Sequence, residues 1–463
     1  MPPAVSAVPP RPFWQTFSIF VLPLVLTNIL QSLAGTVNTV FVGQLLGVEA
    51  VAAVSVFLPI LLCLLAFVIG LSSGTTVVVG QAWGAKNPEL VRRAAGNAVF
   101  LTLVASVTLS VFGLWQSKSI LMLLGTDPAI LSLALPYFHV MMAGLPLIFL
   151  QIVYTALLRG VGDSLSPLYA WVLTIAVGLT VTPMLIHGSF GLPQLGTMAP
   201  AVANLIGNTL AITLLIILQR RGGRVLQVDR ALLAKVRFDA QMTATILRLG
   251  IPTGVQMITT AVAGLVLIGL INQFGSAATA SYGAVAQVIN YIQFPALSIG
   301  IACSIFAAQA IGARRPEQVA VVTRTASIMN LVITGGLILL AYLTSRHLTS
   351  LFITDDEVLE LAQGLLHIAL WSILCFGGSV VLSGTMRASG TVWTPMAITL
   401  SVIILVQLPL AWWLSRRMGL DGIWYAYAVN FTLGFALQWA YYQWVWKKRP
   451  LVALDSVSAS PAT

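Results

Sequence analysis

Two histidines, His139 and His367, are separated by 228 residues. Imidazole titrates near neutral pH without help, so the pair could relay protons. A second reading makes them interfacial residues or an outer gate. Each lies 20 residues before an arginine, Arg159 or Arg387. At about 1.5 Å per helical residue that separation is roughly 30 Å, so a histidine and its arginine sit at opposite faces of a bilayer. Amides supply the other polar chemistry. Asn28, Gln31 and Gln256 fall inside long apolar runs, and Asn28 and Gln256 are again 228 apart. An amide offers donors and an acceptor but no charge, so these residues line a cavity or tie helices together. Asp163 follows Arg159 by four residues. That spacing suits an i,i+4 ion pair or capping of the next helix, at a hinge or inner gate. Pro23 and Pro252 interrupt two long runs and give either a bend used in motion or a static kink. Tyr154, Tyr282, Tyr291, Phe294 and Trp371 either stack on flat substrates or pack against helices and lipid.

The elements that hold these residues are membrane helices. Hydrophobic residues make up 58% of the chain and charged residues 8%, and the mean hydropathy is +0.95. A soluble domain carries about 25% charge. Twelve apolar segments are long enough to cross a bilayer. In the first half they cover about 18–41, 51–78, 94–114, 130–158, 168–186 and 198–218; in the second, about 249–274, 278–307, 326–343, 359–382, 396–414 and 423–444. The expected fold is therefore an all-α membrane protein, twelve transmembrane helices in two homologous six-helix lobes. Its parts are an N-terminal segment 1–17, an N-lobe 18–218, a basic linker 219–248, a C-lobe 249–446 and a tail 447–463.

Whole motifs repeat at the same offset. Gln81 through Glu89 (QAWGAKNPE) returns as Gln309 through Glu317 (QAIGARRPE). Leu158-Arg159-Gly160-Val161-Gly162 with Pro167 returns as Met386-Arg387-Ala388-Ser389-Gly390 with Pro395. Internal duplication of a membrane chain is a common transporter plan. Six spans per half make the repeats parallel, related by an axis along the membrane normal. Nineteen of the 23 basic residues fall in the linker, the termini and one set of loops. Positive charge is retained inside, so both termini and the linker are expected in the cytoplasm of a multi-pass protein of the inner (plasma) membrane. The net charge of +10 thus orients the chain and implies no nucleic-acid partner. No phosphate loop, metal cluster or nucleophile triad appears among its motifs, so no catalytic residue, cofactor or ATP hydrolysis is expected.

Val37 through Gly43, the segments Gly80–Glu89 and Leu157–Pro167, and their second-half counterparts Ala280–Ala286, Gln309–Glu317 and Thr385–Pro395 together resemble the multidrug and toxic compound extrusion (MATE) family. The likeness runs from about Phe13 to Trp446 and leans toward its DinF-like branch. It implies secondary efflux: H⁺ or Na⁺ enters as a small organic, often cationic and amphipathic, substrate leaves, through a chain acting as a monomer in the bilayer.

The resemblance also exposes a departure. Family members bury carboxylates that bind the coupling ion. The matching positions hold Asn38 in the first span, Thr260 in the seventh and Phe376 or Gly377 in the tenth. All thirteen acids fall in loops, helix ends or tails. Another group titrates, neutral oxygens hold the ion, or coupling differs from the family's; a weaker preference for multivalent cations is expected. Asn38, by its match, heads the expected cavity, with Gln31, Asn28, Gln256, Thr260 and Tyr282; Arg159, Asp163, Arg387, Pro23 and Pro252 form the expected gate or hinge. The runner-up activity is a flippase for lipid-linked glycan precursors. A pyrophosphate would need several buried basic residues, and the spans offer none at mid-depth.

Overall fold

The computed structural model describes residues 12–191, 193–350 and 355–453. Arg11 and Asp455 lie outside the described residues, with most of the N-terminal segment and the end of the tail. In lipid every backbone group must find a partner within the chain, and helices meet that demand locally. The first half folds as α1 (Phe13–Leu46), α2 (Val48–Ser55), α3 (Leu58–Gly84), α4 (Pro88–Trp115), α5 (Ser117–Leu123), α6 (Pro128–Ala143), α7 (Leu145–Gly160), α8 (Leu165–His187) and α9 (Ala199–Arg221). A one-turn α10 (Arg230–Leu233) sits in the linker. The second half holds α11 (Ala240–Asn272), α12 (Ser276–Gly312), α13 (Pro316–Met329), α14 (Gly335–Ser350), α15 (Asp356–Leu370), α16 (Ser372–Ala388), α17 (Trp393–Ser401), α18 (Leu408–Met418) and α19 (Leu420–Trp444).

Among the described residues nine stretches are long and apolar enough to cross a bilayer. The pairs α6–α7, bent by 48°, and α15–α16, bent by 41°, bring the number to 11. The first bend falls at Gly144 before Pro146, where proline removes a backbone donor. At the second, the Ser372 hydroxyl donates to the Ala369 carbonyl at 2.6 Å, a side chain inserting into the ladder. The remaining expected span is α19. Its 25 residues are long enough, but Asp421, Asn430 and Gln438 dilute its apolar run.

The duplication is written in the backbone. Positive φ angles occur in pairs 228 apart: Gly47 (85°) with Gly275 (93°), Lys86 (56°) with Arg314 (56°), Gly162 (89°) with Gly390 (84°), and Gly191 (78°) with Gly419 (65°). Lys86 and Arg314 each follow the last turn of a long helix, where a left-handed residue lets its amide close on a carbonyl three back.

The apolar cores show how the lobes meet. One cluster joins both halves at the linker end, from Phe17, Val79 and Leu157 to Ile305, Met386 and Trp446, and continues through the first half alone to Phe57, Leu121 and Phe138 at the far end. Toward the far end the cores part. The second half has its own core there, with Leu267, Val285, Leu366 and Trp424, and Leu185, Ile186, Ala199 and Ala203 form a small satellite in the first half. Phe306 of α12 packs edge-on against Phe13 and Phe20 of α1, with centroids 5.6 and 5.2 Å away. Joined at one end and separately packed at the other, the lobes form a V that opens away from the linker.

The linker is strapped to the N-lobe. Asp239 caps α11 by accepting from the Met242 amide at 3.1 Å, so α11 begins nine residues earlier than its apolar run at Leu249 suggested. Arg93 pairs with Asp239, Lys235 with Glu89, and Arg92 with Asp229 at 3.4 Å. The Tyr154 hydroxyl donates to the Leu226 carbonyl at 3.0 Å. It is buried there and anchors the strap, which leaves it unable to stack on a substrate. The hydrogen bond from Arg93 holds Asp239 below the usual carboxylate range, and the Leu232 amide does the same for Asp229. A depressed folded pKa contributes stability that is present above the ordinary carboxylate value and lost as pH falls through the folded one. Lowering the pH from about 6 to about 3 should therefore loosen the strap. Hydrogen exchange checks this: protection of the Leu232 and Met242 amides, corrected for intrinsic exchange, should fall. Unchanged protection would mean that buried Leu226 and Leu232 hold the linker alone.

Candidate functional site

A cavity of about 530 Å³ opens at membrane depth, almost wholly within the second half. That volume lies in the range of small-molecule sites, about 300–1,000 Å³. Three helices each turn one face to it, mostly apolar with a few amides and hydroxyls. In α11 the lining runs Gln256, Thr260, Ala263 and Leu267; in α12, Tyr282, Ala286, Ile289 and Gln293. In α19 it runs Trp424, Tyr427, Phe431, Gly434 and Gln438, the three- and four-residue spacing of one helical face. From the first half come Asn28 and Ile69. Broader hollows of about 780 and 940 Å³ lie at the linker end among Trp83, Lys86, Gln309, Arg314 and neighbours. They sit over loops and helix ends and lack the ring of amides.

The two halves differ where the chamber forms. Residues 393–418 break into α17, a π-helical segment Val402–Gln407 and α18; their repeat mates in α8 are one regular helix. Residues 316–350 break likewise at the π-segment Asn330–Thr334, while α4 is regular. π-Turns inside α-helices gather at functional sites. Here Val402, Ile403 and Gln407 of the first π-segment line the cavity. Gly264 and Gly434 keep the wall recessed: a Cβ on either would meet nothing within 4 Å.

Five of the expected residues come together here: Asn28, Gln256, Thr260, Tyr282 and Arg387. Pro252 borders a small pocket beside Gln256 and Arg387. Asn28 also does the tying job, donating from Nδ2 to Ser298 Oγ at 3.0 Å. Tyr282 and Tyr427 face each other hydroxyl to hydroxyl at 3.4 Å, with Trp424 5.5 Å from both rings. Asn38 and Gln31 lie farther along α1, half-buried and outside the lining. Pro23 is buried inside α1. His139 bonds Ser117 at 2.9 Å and His367 bonds Ser345 at 3.1 Å, and the serines are again 228 apart. Each pair ties neighbouring helices in the part of its lobe away from the linker.

Asp163 resolves one alternative. It does not pair with Arg159. Helix α7 ends at Gly160, and Gly162 turns the chain with φ 89°, which destroys the i,i+4 geometry. Asp163 instead accepts from the Ser166 amide (2.9 Å) and hydroxyl (2.6 Å), opening α8, and pairs with Arg224 of the linker. Arg159 Nε is buried without a partner. Its repeat mate Arg387 donates from Nη1 to Ser73 Oγ across the lobe boundary at 3.2 Å. The repeat mate of Ser73 is Ile301, which has no hydroxyl, so the bond exists on one side alone.

The seam between lobes is otherwise reciprocal. Gln81 Nε2 donates to the Ala388 carbonyl at 2.7 Å, and Gln309 Nε2 to the Gly160 carbonyl at 2.9 Å. Each amide satisfies a carbonyl at the end of a helix in the other lobe. Gly84 abuts the Gln309 backbone and Gly312 the Gln81 backbone, so neither position has room for a Cβ. Higher up, Gly70 packs on Gly250 and Gly254 in the same way.

Of the two tenth-span positions, Gly377 has no room for a side chain and Phe376 has. A Cβ at Gly377 would run into the buried Asn330 amide, which accepts from Thr334 Oγ1 at 3.0 Å. Phe376 faces the chamber and packs on Phe431 at 5.2 Å.

A family model, MatE, matches residues 23–184 and again 252–413. The chain belongs to the MATE family. It is a membrane transporter and not an enzyme. The probable multidrug resistance protein YoeA of Bacillus subtilis is 39% identical to this MATE protein, over 95% of this chain and 96% of that one. The probable multidrug resistance protein NorM of Thermotoga maritima is 26% identical, over 94% of each. Among solved structures, the Vibrio cholerae MATE transporter VcmN superposes with a TM-score of 0.87 at 19% identity, covering 95% of this chain and 98% of that one. The glycan-precursor flippase reading gains no support from these relatives.

Lone motifs missed much of the lining. Trp424, Tyr427, Phe431 and Gln438 were readable as one face of α19, and Asn290 with Gln293 as a polar step on α12. Asn430 and Gln407 carried no comparable pattern.

Proposed function

We propose that this MATE protein is a secondary efflux antiporter for small organic, amphipathic compounds, exchanging them for H⁺ or Na⁺. Its substrate sits in the second-half chamber, and the lobes alternate about the linker-end seam. The V that opens away from a seam of reciprocal bonds supports this reading most strongly. Nineteen of 23 basic residues collect in the linker, the termini and the seam-side loops, which supports a cytoplasmic side for both termini and the closed end in a plasma-membrane protein. The names of the relatives point the same way. No residue of the described chamber lining is acidic, so a buried carboxylate in the chamber is not the coupling device here.

Reconstitution in proteoliposomes tests this. Dye export should appear under an imposed H⁺ or Na⁺ gradient, and Gln256→Leu should reduce it severalfold by removing a chamber amide. Flux that ignores both gradients would defeat the antiporter reading.

A further inference from the structure

Resting on the export reading, we propose that the chamber takes planar aromatic organic anions, with a carboxylate or sulfonate held at Arg387. Arg387 is the one charged side chain in the described lining. Ser73 Oγ accepts from it, and among the described residues no carboxylate stands within ion-pair reach. A guanidinium drawn out of water without a counter-charge is costly, and its planar fork matches carboxylate and sulfonate oxygens. A cationic solute in the same chamber meets like charge with nothing to offset it.

Two further groups lack partners. Gln438 Oε1 and Trp424 Nε1 are buried, their residues 3% and 2% exposed, and neither finds a hydrogen bond. Both residues line the chamber and mark the two ends of its α19 wall, while these two atoms themselves are covered by protein. The order along α19 then fixes the pose. Trp424 and Gln438 are about 21 Å apart along the axis at about 1.5 Å per residue. Between them Tyr427 lies 6.3 Å from Phe431, which lies 5.2 Å from Phe376. Flat rings stack in this middle stretch, and the anionic head reaches the linker end, where Arg387 and Gln256 border one small pocket.

Two xanthene dyes of similar shape make the test: carboxyfluorescein, an anion, and a rhodamine ester, a cation. Binding to the full chain in nanodiscs is read by fluorescence anisotropy. Carboxyfluorescein should bind at least tenfold tighter. Arg387→Gln should weaken it about tenfold or more, the scale of one charge-assisted bond, and Arg387→Lys should restore most of the loss. Equal or tighter binding of the rhodamine ester overturns the proposal, as does carboxyfluorescein affinity that survives Arg387→Gln. The wild-type preference alone decides if that variant does not fold. Dye flux from proteoliposomes is read in parallel. Export of the rhodamine ester alone overturns the anion assignment and keeps the exporter. Tight carboxyfluorescein binding without flux of either dye keeps the anion site and overturns the exporter.

Discussion

Replacing Gly84 or Gly312 with valine should lower transport more than tenfold while leaving each lobe folded. A Cβ at Gly84 would lie within 2.8 Å of Gln309 Cα, and one at Gly312 within 2.8 Å of Gln81 Cα. The obstacle in both cases is main chain, so no rotamer change relieves it. Overpacking of this kind costs about 1–3 kcal/mol or more, and here it falls on the state with the linker end closed. Every 1.4 kcal/mol moves a two-state population about tenfold. One substitution should therefore lower flux more than tenfold, and the pair together should stop it. The seam also loses Gln81→Ala388 and Gln309→Gly160 as the lobes separate. Gly178→Val is the control, because a Cβ there meets nothing within 4 Å. Flux in proteoliposomes gives the readout, and wild-type flux in Gly84→Val would show that the seam need not close.

Placing an acidic residue at Gly377, one of the two positions matched by resemblance to a family aspartate, should destabilise the protein instead of improving coupling. Gly377→Asp drives a side chain into the Asn330 amide, which is 4% exposed and bonded to Thr334. It also buries a carboxylate with no counter-charge. Changes of this class cost about 3–5 kcal/mol. Loss of monodisperse protein in detergent, or a thermal midpoint lowered by several degrees, is the expected result. Phe376→Asp should be tolerated better, because Phe376 faces the open chamber. If Gly377→Asp is as stable as the wild type, the packing around Asn330 is not as described.

The gross fold was legible because two signals are strong in sequence. Apolar length marks a span, and motifs such as Gln81–Glu89 and Gln309–Glu317 mark the duplication. The positive-φ pairs show that even the turns follow the offset. What escaped was asymmetry. Val402–Gln407 and their mates in α8 are both apolar runs, yet one winds as a π-turn and the other does not. Backbone register of that sort depends on what packs alongside, so no local pattern reveals it. Arg387 stands in the last turn of α16, where the sequence marks only a bilayer boundary. Its reach to Ser73 is a tertiary fact, separated by 314 positions in the chain. The choice between pairing and capping for Asp163 likewise turned on one glycine, Gly162, whose φ of 89° ends the helix between the two partners.

Paired spin-label distances probe the central claim of alternating lobes most directly. With Cys63, Cys303 and Cys375 replaced, one pair of labels goes on exposed Val40 of α1 and Leu265 of α11, toward the open end. A second pair goes on exposed Lys86 and Arg314, at the seam. Under an imposed ion gradient with substrate present, the first distance should shorten as the second lengthens. Two distances that stay fixed, or that change together in the same direction, would contradict a transporter that opens to each side in turn.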